Sequence, residues 1–143
     1  MRFAPLAAAF LLGACASTGG HEHLDVPGRT DTLPFSHLVR AGDTYYVAGT
    51  LGVDPATGKP PADAEQEIRL MLDDVQRKLA LANLTMDDLV SVQVFCPDLT
   101  LYETFNRVYA GYFRHGFPAR AFIGSGPLLR GCRFEIQGVA VAR

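Results

Sequence analysis

Ile68, Leu72, Val75, Leu79 and Ala82 follow one another at steps of 4, 3, 4 and 3. That recurrence lays one apolar stripe along a helix, so the segment covers something on one side. Asp63 can accept the free N–H groups of its first turn, with Gln66 three residues on as the reciprocal partner. Glu65 and Glu67 suit the positive start of this helix and Arg77 and Lys78 its negative end. Asn83 stands where it stops. A second helix carries Leu101, Phe105, Val108 and Tyr112, with a neighbouring stripe of Tyr102, Asn106, Tyr109 and Phe113. So wide an apolar face buries more than one side or supports an adjacent pocket. Thr100 and Glu103 form a capping box at its start, and Gly116 and Pro118 end it.

Strands alternate with these helices. Residues 37–40 and 44–49 form a hairpin through Ala41-Gly42-Asp43. Val90, Val92 and Val94 alternate with Ser91 and Gln93, which gives a strand with one buried face, ended by Pro97. Residues 121–125 and 133–142 read as the last strands. The order β-β-α-β-α-β-β predicts an α+β sandwich with two helices packed on one face of a sheet. The other face then needs a cover. A neighbouring subunit supplies it most economically, which predicts a closed oligomer.

The chain has 143 residues, 48% of them hydrophobic and 20% charged, which fits one folded domain and excludes a disordered chain. Its net charge of −2 offers no basic field for nucleic-acid phosphates. Residues 1–14 stand apart from the domain. Met1 and Arg2 precede a charge-free run over 4–12 that is too short to span a bilayer. Leu12-Gly13-Ala14-Cys15 resembles a bacterial lipobox. It implies a cleaved lipoprotein signal peptide, palmitate-type acylation of Cys15, and a lipid anchor. Ala16 is not the Asp that retains lipoproteins at the inner membrane, so in a Gram-negative cell the destination is the outer membrane, facing the periplasm. The alternative is a cytoplasmic protein with an apolar tail. Residues 15–33 read as the acylated Cys and a flexible tether, and 34–143 as the folded domain. His21-Glu22-His23 falls in that tether without a further ligand, so no metal is expected. Cys96 and Cys132 are expected as two buried free thiols.

Familiar catalytic motifs are missing from the sequence: it has no P-loop, HExxH, GxSxG or CxxC. What remains is Arg120, at the start of a strand, and Glu135, between Phe134 and Ile136. An Arg fork grips a carboxylate at both oxygens, and a partly buried Glu can exchange protons near neutrality. By spacing alone the two also read as a structural ion pair.

Several stretches carry a resemblance. They are Leu33-Pro34-Phe35-Ser36, residues 47–55 with Thr57-Gly58, residues 92–95 with Asp98-Leu99, residues 105–109, Phe117-Pro118-Ala119-Arg120, and Phe134-Glu135-Ile136. In order and spacing the chain resembles the RidA/YjgF family from Pro34 onward. The resemblance implies a chorismate-mutase-like α+β fold and a homotrimer with clefts between subunits. It implies a deaminase of the 2-iminobutanoate/2-iminopropanoate kind. Such an enzyme hydrolyses 2-imino acids and enamines such as 2-aminoacrylate to 2-oxo acids and ammonia, with no cofactor. Arg120 then matches the residue that binds the substrate carboxylate, and Glu135 the one that handles the water or its protons. Asn106 and Gly49 match further cleft positions. Phe35, Ala48 and Phe122 depart, standing where deaminases often have Tyr, Ser and Cys, so the substrate-binding cleft is more apolar. The alternative is a non-catalytic trimeric envelope module that binds small carboxylate ligands. A rearrangement of the chorismate-mutase kind on the same fold is a third reading.

Overall fold

The computed structural model describes residues 20–142. The lipobox, Cys15 and the start of the tether lie outside the described residues. Eight regular elements follow: β1 (His21–Leu24), β2 (Leu38–Ala41), β3 (Thr44–Leu51), α1 (Ala64–Ala80), β4 (Leu89–Cys96), α2 (Tyr102–Ala110), β5 (Ala119–Gly124) and β6 (Glu135–Val141). The six strands form one sheet in the order β1-β2-β3-β6-β4-β5. Only β4 and β5 run parallel. Gly42 makes the β2–β3 turn possible, because its φ of 63° is one that side-chain-bearing residues avoid.

The stripe read from the sequence is the face that α1 buries: Ile68, Leu72, Val75 and Leu79 are all within 2% of full burial. They meet Val47, Val92, Val94 and Ile136 from the sheet and Phe105, Val108 and Tyr109 from α2 in a single core. Both helices therefore cover the same face, giving a mixed sheet with two helices, as the element pattern predicts. The opposite face leaves Tyr46, Val90 and Val141 exposed, with Gln137 donating to Gln93 Oε1 at 2.6 Å between them.

Several expectations are corrected. Over His21–Leu24 the expected tether is an edge strand paired with β2, from His21 opposite Ala41 to Leu24 opposite Leu38. Three of its four residues are exposed and show no alternation, so the pairing comes from the open edge of β2 rather than from a pattern of its own. The folded unit thus begins before residue 34. Asp63 caps α1 as expected, accepting from Glu65 N and Gln66 N. Glu67 and Lys78, however, do not decorate the helix ends in solvent. Both are buried, at 0% and 3% exposure.

Asp98, and not Thr100, caps the second helical region. Its carboxylate accepts from Thr100 N at 3.0 Å and Thr100 Oγ1 at 2.6 Å, starting a short turn that leads into α2. Helix α2 ends at Ala110, before Gly116. The Asp87 carboxylate captures the Arg114 and His115 N–H groups and pulls the chain away. Cys96 and Cys132 are buried free thiols, as expected.

Candidate functional site

Arg120 sits on β5 opposite Val92 of β4, with its side chain on the helix-covered face. Its Nη2 donates to Asn106 Oδ1 at 2.7 Å. Its guanidinium lies 4.8 Å from the Tyr109 ring centre and within 6 Å of Tyr102, Phe105 and Phe122. Aromatic faces attract a cation without neutralising it. No carboxylate among the described residues lies within ion-pair distance of Arg120. A cavity of about 440 Å³ opens beside it, lined by Asn106, Tyr109, Ala110, Phe117, Pro118 and Arg120. Burial pushes the Tyr109 phenol up to about 12, so it stays protonated across the physiological range. Phe122 packs edge-on against Tyr102 and Phe105 at 5.0 and 5.2 Å. It belongs to the platform under the cation.

Glu135 lies elsewhere. Phe134 and Ile136 are both buried in the core, so strand alternation turns Glu135 to the open face. It stands opposite Leu51 of β3 and Phe95 of β4. Next to it, β3 carries a bulge. Val47 pairs with Gly138 and Thr50 with Ile136, so Ala48 and Gly49 together face the single residue Gln137. A Cβ on Gly49 would overlap Glu135 Oε1, with the carboxyl carbon only 3.4 Å away. The absent side chain is what admits the carboxylate. Phe35, Ala48, Gly49 and Glu135 line a second cavity of about 600 Å³, closed on other sides by Leu129 and Lys78.

The sequence-derived site residues thus fall into two groups: Arg120, Asn106 and Phe122 in one, Phe35, Gly49, Ala48 and Glu135 in the other. Within one chain Arg120 and Glu135 occupy opposite faces of the sheet, which overturns the structural ion-pair reading. One group holds a cation and the other an acid. Phe35 is itself held in place. Arg29 donates to the Phe35 carbonyl at 2.6 Å, to the Leu33 carbonyl at 2.8 Å, and covers the Phe35 ring at 4.8 Å. Asp25 and Asp31 anchor Arg29 in turn.

Residue spacing missed Arg29, Lys78, Asp74 and Thr50. The last three meet behind the bulge, where Lys78 Nζ donates to Thr50 Oγ1 at 2.7 Å and pairs with Asp74 at 3.2 Å. An apolar helical position occupied by Lys would have been the signal. Among the described residues no three His, Cys, Asp or Glu side chains converge to hold a metal ion. His23 instead makes a 3.0 Å hydrogen bond with Ser36 Oγ. No described helix is long and apolar enough to cross a membrane.

Comparison with known proteins agrees with this fold. The family model described as endoribonuclease L-PSP matches residues 30–142. The bovine 2-iminobutanoate/2-iminopropanoate deaminase is 35% identical over 109 residues, covering 76% of this chain and 80% of the relative. A RutC family protein of Pyrococcus horikoshii is 30% identical over 108 residues, covering 75% and 86%. The crystal structure of the YjgF gene product of Escherichia coli superposes with a TM-score of 0.73 at 32% identity, covering 79% of this chain and 91% of that one. On fold, matched length and identity together, the chain belongs to the RidA/YjgF family, the group that the endoribonuclease L-PSP model describes.

Proposed function

We propose that the protein is a deaminase that hydrolyses 2-imino acids and their enamine tautomers to 2-oxo acids and ammonia, in a homotrimer whose clefts join the two half-sites of adjacent copies. One observation carries this reading: Arg120 is a cation held over aromatic rings, beside a cavity, with no acid among the described residues to neutralise it. Desolvating a substrate carboxylate costs several kcal/mol unless a cation meets it. The Arg120 fork fits both carboxylate oxygens. Relatives named for 2-iminobutanoate and 2-iminopropanoate supply the substrate class.

In this reading Arg120 of one copy fixes the carboxylate, and Glu135 of the next acts on the imine. Glu135 takes a proton from water as the water oxygen bonds to C2. That proton passes to the imine nitrogen, giving a carbinolamine. The carbinolamine hydroxyl then gives up its own proton, which Glu135 relays to nitrogen as the C–N bond breaks and ammonia leaves. The remaining oxygen becomes the 2-oxo group. The exposed Tyr46, Val90 and Val141 supply apolar surface for the subunit contact. The lipobox supports a lipid anchor at Cys15 and an outer-membrane, periplasmic setting. Labelled palmitate should enter the wild type and not Cys15→Ser, which should persist as precursor.

Complementation tests the shared site. Arg120→Ala and Glu135→Gln chains should each release almost no ammonia from freshly generated 2-iminobutanoate. Co-folded in equal amounts, they should recover about a quarter of wild-type activity, because one cleft in four receives both intact residues. A mixture as inactive as its components would sink the shared cleft. A wild type that binds 2-oxobutanoate yet turns over no imino acid would make the protein a carboxylate-binding module.

A further inference from the structure

Lys78 occupies the core-facing side of α1, one residue before Leu79, and is 3% exposed. Its ammonium donates to Thr50 Oγ1 at 2.7 Å and pairs with Asp74 Oδ2 at 3.2 Å. Thr50, itself 2% exposed, donates its hydroxyl to the Ala48 carbonyl at 2.9 Å. The Ala48 N–H donates to the His37 carbonyl at 3.1 Å. One line of hydrogen bonds therefore runs from the Asp74 carboxylate through Lys78 and Thr50 to the bulge of β3.

The charge is costly where it stands. Burial pushes the Lys78 amine below its ordinary range, and the neighbouring Asp74 carboxylate opposes that shift. An unbranched apolar side chain would fill the same space without taking an ion out of water. What the ammonium adds is direction. It can only donate, so the Thr50 oxygen that receives it must send its own proton onward to Ala48. Both peptides that flank the Ala48 Cα are then held, one by its N–H on the His37 carbonyl and the other by its carbonyl under the Thr50 hydroxyl. Ala48 and Gly49 are the two bulge residues, and the bulge brings the bare Cα of Gly49 beside Glu135 Oε1.

We propose that Lys78 is a positioning residue for the Glu135 half of the site, acting through Thr50 to fix the Ala48–Gly49 bulge that makes room for the Glu135 carboxylate. Its kinetic consequence rests on the deaminase reading; its structural consequence does not. The full chain carrying Lys78→Met or Thr50→Val is compared with wild type and with Thr50→Ser, which keeps the hydroxyl. Amide hydrogen exchange is followed at Ala48 and at Leu72 of α1, together with steady-state turnover of 2-iminobutanoate.

Both disrupting variants should exchange faster at Ala48 by about tenfold, a partial opening of a local hydrogen-bonded unit, with Leu72 unchanged. Their kcat should fall about ten- to a hundredfold at nearly constant KM, as a small misplacement of a reacting group does. Thr50→Ser should restore both readings. A mere packing role would lower the unfolding midpoint and leave kcat per folded molecule intact. Unchanged exchange at Ala48 overturns the proposal, as does faster exchange with unchanged kcat. A wild type that turns over no imino acid removes the deaminase reading alone, and exchange at Ala48 then decides the role of Lys78.

Discussion

The surroundings of Arg120 and of Glu135 are built on opposed principles. Around Arg120 the protein adds material: four aromatic rings within 6 Å and one amide acceptor at 2.7 Å. Around Glu135 it takes material away, with a glycine that has no Cβ and a bulge that steps the strand aside. Rings keep a cation in place while leaving its charge available to a ligand. A carboxylate has no such platform; it needs space, and that space depends on backbone geometry. The Arg120 side should therefore lose function in proportion to the side chain removed. The Glu135 side should fail when anything is added.

Glu135→Gln gives the largest effect expected. It keeps the shape and removes the proton acceptor, so kcat should fall about 10²–10⁴-fold with little change in KM. Arg120→Ala should instead weaken the binding of a non-reactive 2-oxo acid by about 2–5 kcal/mol, read by titration calorimetry. Arg120→Lys should recover part of that loss, since it keeps charge without the planar fork. If Arg120→Ala binds 2-oxo acids as tightly as wild type, the carboxylate-anchor idea is wrong. Gly49→Ala sharpens the contrast from the other side. The added Cβ must displace Glu135, so kcat should drop about 10²-fold while 2-oxo acid affinity holds. Equal losses in both readings would mean that the halves are not independent.

Asn106→Ala removes the acceptor that orients Arg120, and the Kd for the same 2-oxo acid should rise about tenfold, near the worth of one charge-assisted hydrogen bond. The smallest effect concerns stability and pH. The Lys78 amine is shifted down in the folded chain, so the unfolded chain binds the extra proton over the interval up to its ordinary 10.5. Folding stability contributed by this group therefore rises with pH across that interval. At pH 7, Lys78→Met should unfold at the same or higher urea concentration than wild type. The difference should narrow as pH approaches 10.5. A gap that widens with pH would reverse the sign assigned to Lys78.

Much of this architecture is legible in the residue pattern. The α1 stripe predicts the packed face, and Phe134 and Ile136 flanking Glu135 already imply that the acid points away from the core. Arg120 gives no such clue, because Ala119 and Ala121 beside it are too small to mark a phase. The separation of the two residues depends on long-range register, with β6 in the middle of the sheet and β5 at its edge. Lys78 is hidden by position. Next to Arg77, near a helix end, it reads as a solvated charge until tertiary packing closes over it. Strand β1 is illegible for a different reason: its partner's edge recruits it, and its own residues carry no alternation.

The aromatic platform under Arg120 has an optical consequence. The chain contains five tyrosines and no tryptophan, so its near-ultraviolet spectrum is a tyrosine spectrum. One of those chromophores, Tyr109, carries a cation 4.8 Å from its ring centre. A carboxylate that draws the guanidinium off the ring changes the field across that chromophore and shifts its absorption. The unlabelled protein is then its own indicator: difference spectra near 280 nm follow ligand occupancy beside Arg120, and Tyr109→Phe reduces the signal to the part contributed by Tyr102, 5.7 Å from the same cation.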